Sequence, residues 1–290
     1  MSAPRFDSPE LVHTAFYKFT SLARPDETAA ALRELVSDPA LALTGSVLLA
    51  TEGINGMLAG TRDALNRIED ALRCDPRFDG AFVGIAFKRS ACTTVPFRKL
   101  KVHVKREIVP LGIDGVDARR TGIDVSPQDW RALVREPDVV LLDNRNGFEY
   151  RLGHFDGAID PGVTNFRDFP AYVRAHAQAW KDEGKRVAMY CTGGIRCEKT
   201  SAWMKELDLP VYQLEGGILN YFRQVPDAGR EWHGECFVFD NRVALDTRLQ
   251  ETATTLDDVY MGEPDGAWRL ARARRLADAG GEDEPADEPA

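Results

Sequence analysis

The central part of the chain alternates apolar strands with helices, and this alternation limits the folds that it can adopt. The segments 139–143 (VVLLD) and 186–190 (RVAMY) are short apolar runs, as expected of buried parallel strands. Helical spacing over 171–180 and 197–207 precedes and follows the second strand, and a further strand is expected at 211–217. Repeated strand–helix order predicts a parallel sheet with helices on both faces, whose sites lie at the carboxyl ends of the strands.

The first hundred residues predict a separate α+β unit. We expect strands at 13–20, 43–50, 53–60 and 82–90, a long final strand at 97–109, and helices over 26–36 and 61–73. Thr61 is the expected cap of the second helix. The order βαββαβ is the ferredoxin-like plan that acylphosphatases also use, and the plan by itself indicates no phosphatase chemistry.

The pattern therefore predicts two α/β units with short appendages. The expected order is a ferredoxin-like domain (1–109), a linker rich in Gly and Asp (110–125), a second α/β domain (126–230), a C-terminal extension (231–278) and an acidic tail (279–290). Ser126, with Asp129 three residues later, is expected to cap the first helix of the second domain. The tail carries five acids, no base and no apolar pattern, so we expect it to be disordered.

Composition excludes several classes of protein. The chain has 290 residues and 43% hydrophobic residues, enough for real cores. Its first residues, MSAPRFDSPE, lack the apolar core that a secretory signal needs, and no apolar run approaches the roughly 20 residues of a membrane span. The five cysteines are odd in number and form no CxxC pair, so neither a disulfide scaffold nor a metal site is expected. We expect a soluble, cytoplasmic protein. The net charge of −9 does not indicate DNA binding, although a local basic patch still attracts nucleic acid.

Cys191 follows the predicted strand 186–190 directly and opens a short loop before a helix. Backbone N–H groups of such a loop surround the sulfur, and the helix N-terminus adds its positive end, so both favour the thiolate. Lowering a thiol pKa by roughly two units requires about 2.7 kcal/mol, and a helix dipole supplies about 2 at best. The loop amides and Arg196 must supply the rest. We therefore predict that Cys191 is a nucleophile in an anion-binding loop formed by Thr192, Gly193, Gly194, Ile195 and Arg196.

A purely structural role is the competing interpretation for each reactive residue. A cysteine after a core strand is more often simply buried, but the Cys-Thr-Gly-Gly-Ile-Arg loop favours reactivity at Cys191. Arg196 is interpreted as an anion clamp. Cys197 is a candidate resolving thiol for a persulfide or sulfenate on Cys191, although packing alone is the preferred interpretation. Cys74 and Cys92 lie in no such setting and are interpreted as structural.

Three segments resemble the rhodanese domain: LLDNRNGFEYRLGHFDGAI (141–159), the loop YCTGGIRCEKTSAWM (190–204) and LEGGILNYF (214–222). Family positions are occupied by Asp143, Arg145, Glu149, Gly153, His154, Gly157 and Ala158. In rhodaneses this stretch is mainly scaffold, which implies a structural role for His154. Cysteine phosphatases of similar shape use Cys-x5-Arg. The shorter Cys191-x4-Arg196 resembles sulfurtransferases, which carry sulfur as a cysteine persulfide.

The N-terminal unit narrows the resemblance. The segments TEGINGMLAG (51–60), FKRS (87–90) and PFRKLKVHVKREIV (96–109), followed by the rhodanese segments, resemble the bacterial tRNA uridine hydroxylases. The resemblance implies oxygen-dependent conversion of the wobble uridine, position 34, to 5-hydroxyuridine, with Cys191 at the active site. It implies molecular oxygen as co-substrate, and the sequence identifies no bound cofactor. Many relatives continue into a cysteine-bearing C-terminal segment, whereas residues 237–290 contain no cysteine, so no role carries over there.

A tRNA substrate agrees with a local basic segment. Alternate residues of a strand share one face, which would group Lys99, Lys101, His103 and Lys105. Such a face contacts phosphates, or it is the solvated edge strand that lysines protect from pairing. The residues alone leave these alternatives balanced, and the resemblance favours RNA contact. The candidate tRNA-contacting residues are Lys88, Arg89, Arg98, Lys99, Lys101 and Lys105.

Two other functions would use the same cysteine. A plain sulfurtransferase would pass persulfide sulfur from thiosulfate or a protein donor to an acceptor, without RNA. A redox-sensing interaction module would use Cys191 and Cys197 without catalysis. The dedicated N-terminal unit and its basic strand favour tRNA hydroxylation over both. The activation of oxygen, the sulfur species on Cys191 and the oligomeric state are left open by the sequence.

Overall fold

The protein is described from a computed structural model over residues 11–278. The acidic tail expected at 279–290 lies outside the described residues. No helix within residues 11–278 combines the length and the apolar run needed to cross a bilayer.

The N-terminal domain is a five-stranded sheet with two helices. Its elements are β1 (Val12–Phe19), α1 (Pro25–Val36), β2 (Thr44–Ala50), β3 (Gly53–Gly60), α2 (Arg62–Cys74), β4 (Ala86–Ala91) and β5 (Leu100–Val104). The sheet order is β4-β1-β3-β2-β5, in which β5 pairs parallel with β2. Thr61 Oγ1 accepts a hydrogen bond from the Ala64 N–H at 3.2 Å, which confirms it as the cap of α2.

Only one face of this sheet is covered by helices. Strand residues such as Phe16, Val47 and Leu49 are buried with apolar residues of α1 and α2 in one core cluster. The opposite face carries half-buried side chains, among them Tyr17 and Met57. We call it the open face. It is turned toward the second domain and positions the site described below.

The prediction of one long strand at 97–109 is wrong, because β5 contains only five residues. Beyond β5 the chain leaves the sheet. The Ile108 N–H donates to Glu52 Oε1 at 2.7 Å, and the Ile108 carbonyl accepts from Asn55 Nδ2 at 3.0 Å. Ile108 and Val109 bury their side chains between the domains, so their apolar character reflects that core and not a strand.

The second domain has a parallel sheet in the order β6-β10-β9-β7, with helices on both faces, as predicted. Its elements are β6 (Ile123–Val125), α3 (Pro127–Leu133), β7 (Val139–Asp143), α4 (Gly147–Leu152), β8 (Gly153–Phe155), α5 (Phe169–Asp182), β9 (Arg186–Tyr190), α6 (Ile195–Met204), β10 (Val211–Leu214) and α7 (Gly217–Gln224). Residues of α5 and α6 form one core cluster, and residues of α3 and α7 form another. Strand β6 falls within the segment expected as a linker, because it pairs with β10. Ser126 Oγ accepts from the Asp129 N–H, as expected of the cap.

The C-terminal extension lies against both domains. It contains β11 (Trp232–Gly234), β12 (Cys236–Phe237), β13 (Ala244–Leu245), α8 (Leu256–Tyr260) and α9 (Gly266–Asp278). Strand β11 pairs with β8 of the second domain. The Glu251 carboxylate accepts hydrogen bonds from the backbone N–H groups of Thr93 and Thr94 in the first domain. The extension therefore helps to hold the two domains together.

The two domains share a core. One apolar cluster joins Phe19 and Ala50 of the first domain to Met189 and Cys191 of the second. Beside it, the buried Lys199 of α6 reaches across the interface and donates to the Val109 carbonyl at 3.0 Å. The same ammonium is 2.8 Å from the carboxylate of Glu52 and 2.5 Å from that of Glu107.

A buried ion pair stands at the end of β7. Arg145 and Asp143 have no exposed surface, and the guanidinium meets the carboxylate at 2.8 Å (Nε–Oδ1) and 2.6 Å (Nη2–Oδ2). Nη2 also donates to the Gly153 carbonyl at 2.6 Å, and the guanidinium faces the rings of Tyr190 and Trp232. Removing one partner of such a pair leaves an uncompensated charge in the core.

We expect Arg145→Met to lower the free energy of unfolding by about 3–5 kcal/mol, because Asp143 would lose its buried partner. Chemical denaturation followed by circular dichroism measures this loss. Arg119→Met is the matched control, because Arg119 pairs with the residue two positions before it, Asp117, on the surface. Its denaturation midpoint should stay close to that of the unaltered protein. Equal midpoints for the two variants would contradict a structural role for the buried pair.

Candidate active site

Cys191 lies at the carboxyl end of β9, between β7 and β10, and its side chain is fully buried. The Gly194 N–H donates to Cys191 Sγ at 3.1 Å, in a loop where Gly194 has φ of 103°. The first N–H groups of α7 close the loop from the other side. Ile218 N–H donates to the Cys191 carbonyl at 3.0 Å, and Leu219 N–H donates to the Thr192 carbonyl at 3.2 Å.

The connection from β10 to α7 approaches the cysteine loop so closely that a side chain would not fit between them. A Cβ on Gly217 would lie 2.5 Å from the Cys191 carbonyl oxygen and 2.8 Å from the Gly194 nitrogen. Glycine at this position therefore lets α7 begin directly beneath the loop. By contrast, a Cβ on Gly193 would meet no atom within 4 Å, so the loop opens to free space on that side.

The environment of Cys191 favours the thiolate. Burial alone would raise the pKa of Cys191. The Cys197 thiol, the Arg196 charge and the backbone N–H groups of Cys197 and Gly194 outweigh burial and hold that pKa well below its ordinary value. The loop sequence predicts the contributions of the backbone N–H groups and of Arg196, but not the contribution of the Cys197 thiol. A thiolate is the nucleophilic form of cysteine.

Arg196 does not extend into open space. Its guanidinium forms a bidentate ion pair with the fully buried Glu149, at 2.7 Å (Nη1–Oε2) and 2.8 Å (Nη2–Oε1). Nη2 also lies 3.3 Å from Thr192 Oγ1. Arg196 thus acts on Cys191 through its charge, while Glu149 holds its position. The rhodanese pattern assigns Glu149 to the scaffold, and that scaffold position is the one that supports the loop.

Cys197 lies in the first turn of α6 and is in contact with Cys191. Neither side chain is part of a disulfide, and the Cys197 sulfur is also 3.9 Å from Asn144 Nδ2. Burial and the neighbouring Cys191 raise the pKa of Cys197 well above its ordinary value. Cys197 therefore keeps its proton and donates it toward the thiolate of Cys191. This contact goes beyond simple packing and places a second sulfur beside the first.

The N-terminal domain contributes to the cysteine loop, which sequence reasoning missed. Lys88 Nζ on β4 donates to the Gly193 carbonyl at 2.5 Å and to the Gly216 carbonyl at 3.1 Å. Burial lowers the pKa of Lys88, and the negative charge of Cys191 opposes that effect. Beside it, the Tyr17 hydroxyl donates to Glu198 Oε1 of α6 at 2.5 Å. No local sequence signal shows which face of the first sheet meets the loop.

The structure divides the six candidate tRNA-contacting residues. Lys88 belongs to the cysteine loop and not to an exposed patch. Arg89 points to the helical side of the sheet, where it donates to Glu69 at 2.8 Å and to Asn66 at 2.7 Å on α2. The other four lie on or beside β5, at the opposite edge of the sheet from β4: Arg98, Lys99, Lys101 and Lys105. Lys101 is half-buried and the other three are exposed.

His154 lies away from the loop chemistry, as its scaffold position implies. Its ring stacks on Tyr150 with centroids 4.1 Å apart, and its Nδ1 is 3.0 Å from the Tyr150 carbonyl oxygen. Within the part of the chain that the structure describes, no three His, Cys, Asp or Glu side chains are grouped as a metal site requires.

Comparison with known families first defines the class. Residues 11–108 match the UPF0176 acylphosphatase like domain, and residues 126–224 match the rhodanese-like domain. A solved structure, the thiosulfate sulfurtransferase from Pseudomonas aeruginosa, is similar over 61% of this chain and 32% of its own, with 19% identity and a TM-score of 0.33. The two family matches show a rhodanese-like domain that follows an acylphosphatase-like N-terminal domain.

Relatives that match most of the chain then define the family. The tRNA uridine(34) hydroxylase of Legionella pneumophila (strain Corby) is 43% identical over 258 residues, which is 88% of this chain and 98% of that protein. The protein of the same name from Synechococcus elongatus is 47% identical over 242 residues, covering 83% of this chain and 87% of its own. The chain belongs to the tRNA uridine(34) hydroxylase family, which confirms the family predicted from its motifs.

We expect Lys88→Met to raise the pKa of Cys191, because the variant removes a positive charge and two hydrogen bonds from the loop. Ultraviolet absorbance of the thiolate, taken as the difference from Cys191→Ser, gives the titration curve. In the unaltered protein the curve should rise well below the ordinary thiol range, and in Lys88→Met at higher pH. Glu251→Gln is the control, because it also weakens a domain contact but lies outside the loop. Coincident curves for the Lys88→Met variant and the unaltered protein would contradict the prediction.

Proposed function

We propose that the protein hydroxylates uridine 34 of tRNA to 5-hydroxyuridine, with molecular oxygen as co-substrate and Cys191 as the reactive group. The observation that carries this proposal is a buried cysteine held as thiolate in a loop that both domains complete. The family relatives that span both domains bear the name tRNA uridine(34) hydroxylase. A tRNA substrate places the activity in the cytoplasm.

The thiolate offers a direct route to activating a uracil. Attack of the sulfur on C6 breaks the C5–C6 double bond and moves its electron pair onto C5 and the adjoining carbonyl. C5 then gains oxygen, and loss of its proton with departure of the thiolate restores the ring. One atom of molecular oxygen enters the product. The other leaves as water, which consumes two electrons from a reductant such as a thiol.

The open face of the first sheet supports tRNA contact near the loop. The strand register places Lys101, Ser46, Met57, Ala15 and Lys88 side by side across the five strands. This row is about 19 Å long at 4.8 Å per strand spacing. It leads from the basic segment at β5 to the lysine that touches the cysteine loop. We propose that Arg98, Lys99, Lys101 and Lys105 contact phosphates while the target base enters the loop.

The expected product is measurable by mass. Unmodified tRNA incubated with the protein and a thiol reductant in air should gain one oxygen on uridine 34, detected by nuclease digestion and mass spectrometry. The gain should disappear under argon and in Cys191→Ala. Isotopically labelled oxygen gas should deliver its label to the product.

The same samples test the sulfurtransferase alternative. Thiosulfate turnover, or gain of sulfur by the tRNA, with no gain of oxygen would reject hydroxylation. Cys74→Ala is the matched control variant, because Cys74 is exposed on α2 and lies outside the loop. It should retain the activity of the unaltered protein.

Reversing the charges of Lys99, Lys101 and Lys105 to Glu should weaken tRNA binding, because phosphate contacts release counterions. Each lost contact should reduce the slope of log affinity against log salt by about one, so the triple variant should lose up to about three. Electrophoretic mobility shifts over a salt series measure both quantities. Arg24, Arg62 and Arg67 are exposed on the helical side, and their reversal to Glu is the control with the same charge change. Equal slopes for the two triple variants would remove the basic segment from the proposal.

A further inference from the structure

An aromatic side chain of the C-terminal extension is exposed beside the cysteine loop. Phe239 keeps 50% of its surface accessible, and it is the only aromatic among the strongly exposed large apolar side chains of the described residues. Its ring centre is 5.8 Å from Cζ of Arg196. Since Arg196 also contacts Thr192, the ring stands at the rim of the loop that holds Cys191.

The ring is held by a rigid hairpin. Phe239 lies in the turn between β12 and β13, where Val238 N–H donates to the Val243 carbonyl at 2.8 Å. On one side of the turn, the Phe237 ring meets that of Phe239 edge to face, with centroids 5.0 Å apart. On the other side, the Asp240 carboxylate pairs with Arg242 at 2.7 Å, and both side chains are almost fully buried.

The hairpin is also fastened to the first domain. Arg242 Nη1 donates to Ser90 Oγ of β4 at 3.0 Å. The Asn241 N–H and its Nδ2 donate to the carbonyls of Pro96 and Val95 at 3.0 and 3.1 Å. Asp240, Asn241 and Arg242 thus all have hydrogen-bonding partners. The backbone at Phe239 is therefore fixed, while half of the surface of its side chain is not covered by other residues.

A rigid, exposed ring next to a nucleophile matches the chemistry of base recognition. An enzyme that modifies a base must take that base out of its stack, and the unstacked bases need a replacement surface. Aromatic side chains supply this surface to single-stranded RNA. The guanidinium of Arg196 lies against the ring and helps to fix its position beside the loop.

We propose that Phe239 is a stacking platform for a nucleobase of the tRNA, either uridine 34 or the nucleotide beside it. This inference rests on the proposed function, because it takes tRNA as the substrate. It assigns a substrate-binding residue to the C-terminal extension, outside both of the domains that define the class.

The test uses an anticodon stem-loop with the fluorescent base 2-aminopurine at position 33, 34 or 35. Binding to the full-length protein should quench emission at the position that stacks on Phe239. Phe239→Ala should abolish this quenching and weaken binding by about 5- to 150-fold, the range for loss of one base–aromatic stack. Phe239→Trp should retain both, because it restores a flat aromatic surface.

Two controls separate stacking from damage to the fold. Val83→Ala also truncates an exposed apolar side chain and should leave binding and emission unchanged. The thiolate titration of Cys191 should be the same in Phe239→Ala as in the unaltered protein, because Glu149 holds Arg196 and the Gly194 N–H donates to Cys191 without help from the ring. If Phe239→Ala binds the stem-loop with unchanged affinity and quenches 2-aminopurine as the unaltered protein does, Phe239 is not a stacking platform, while the proposed hydroxylation stands. If the unaltered protein neither binds nor hydroxylates tRNA, both proposals fail.

Discussion

A negative charge on a fully buried sulfur is the constraint on which the rest of the site depends. Burial opposes ionisation, so the loop must surround Cys191 with donors and positive charge. Arg196 supplies the charge but is itself buried, and it requires the carboxylate of Glu149. Glu149 in turn accepts from the Asn146 N–H at the start of α4. One buried thiolate thereby determines the roles of residues on two separate segments of the second domain, the cysteine loop and the start of α4.

The orientation of the loop creates a second requirement, which the first domain meets. The Gly193 carbonyl in the cysteine loop and the Gly216 carbonyl beside it both need hydrogen-bond donors. Lys88 provides them, and Lys199 fastens α6 to the same domain. The acylphosphatase-like domain is therefore part of the cysteine site. This arrangement gives a physical reason for an acylphosphatase-like sheet and a rhodanese loop to occur together in one chain.

Sequence reasoning succeeded where neighbours along the chain decide the outcome. Strands β7 and β9 begin and end at the expected residues, because each is a short apolar run with clear limits. The prediction of one strand over 97–109 was wrong, because Ile108 and Val109 are apolar for a different reason. Their side chains pack in the core between the domains. Sequence reasoning also grouped Lys88 and Arg89 with the basic segment at β5. Adjacent strand residues point to opposite faces, and the sheet order separates β4 from β5.

The amino-acid sequence by itself determined the parallel architecture, the cysteine loop and the family. Each depends on residues that are close together in the sequence: apolar runs, two glycines after Cys191, and an arginine at the start of the next helix. Only the tertiary structure decided that Glu149 holds Arg196, that Lys88 completes the loop and that Phe239 stands at its rim. These side chains are far apart in sequence and meet only after two sheets and a hairpin have packed, so no local pattern encodes their contacts.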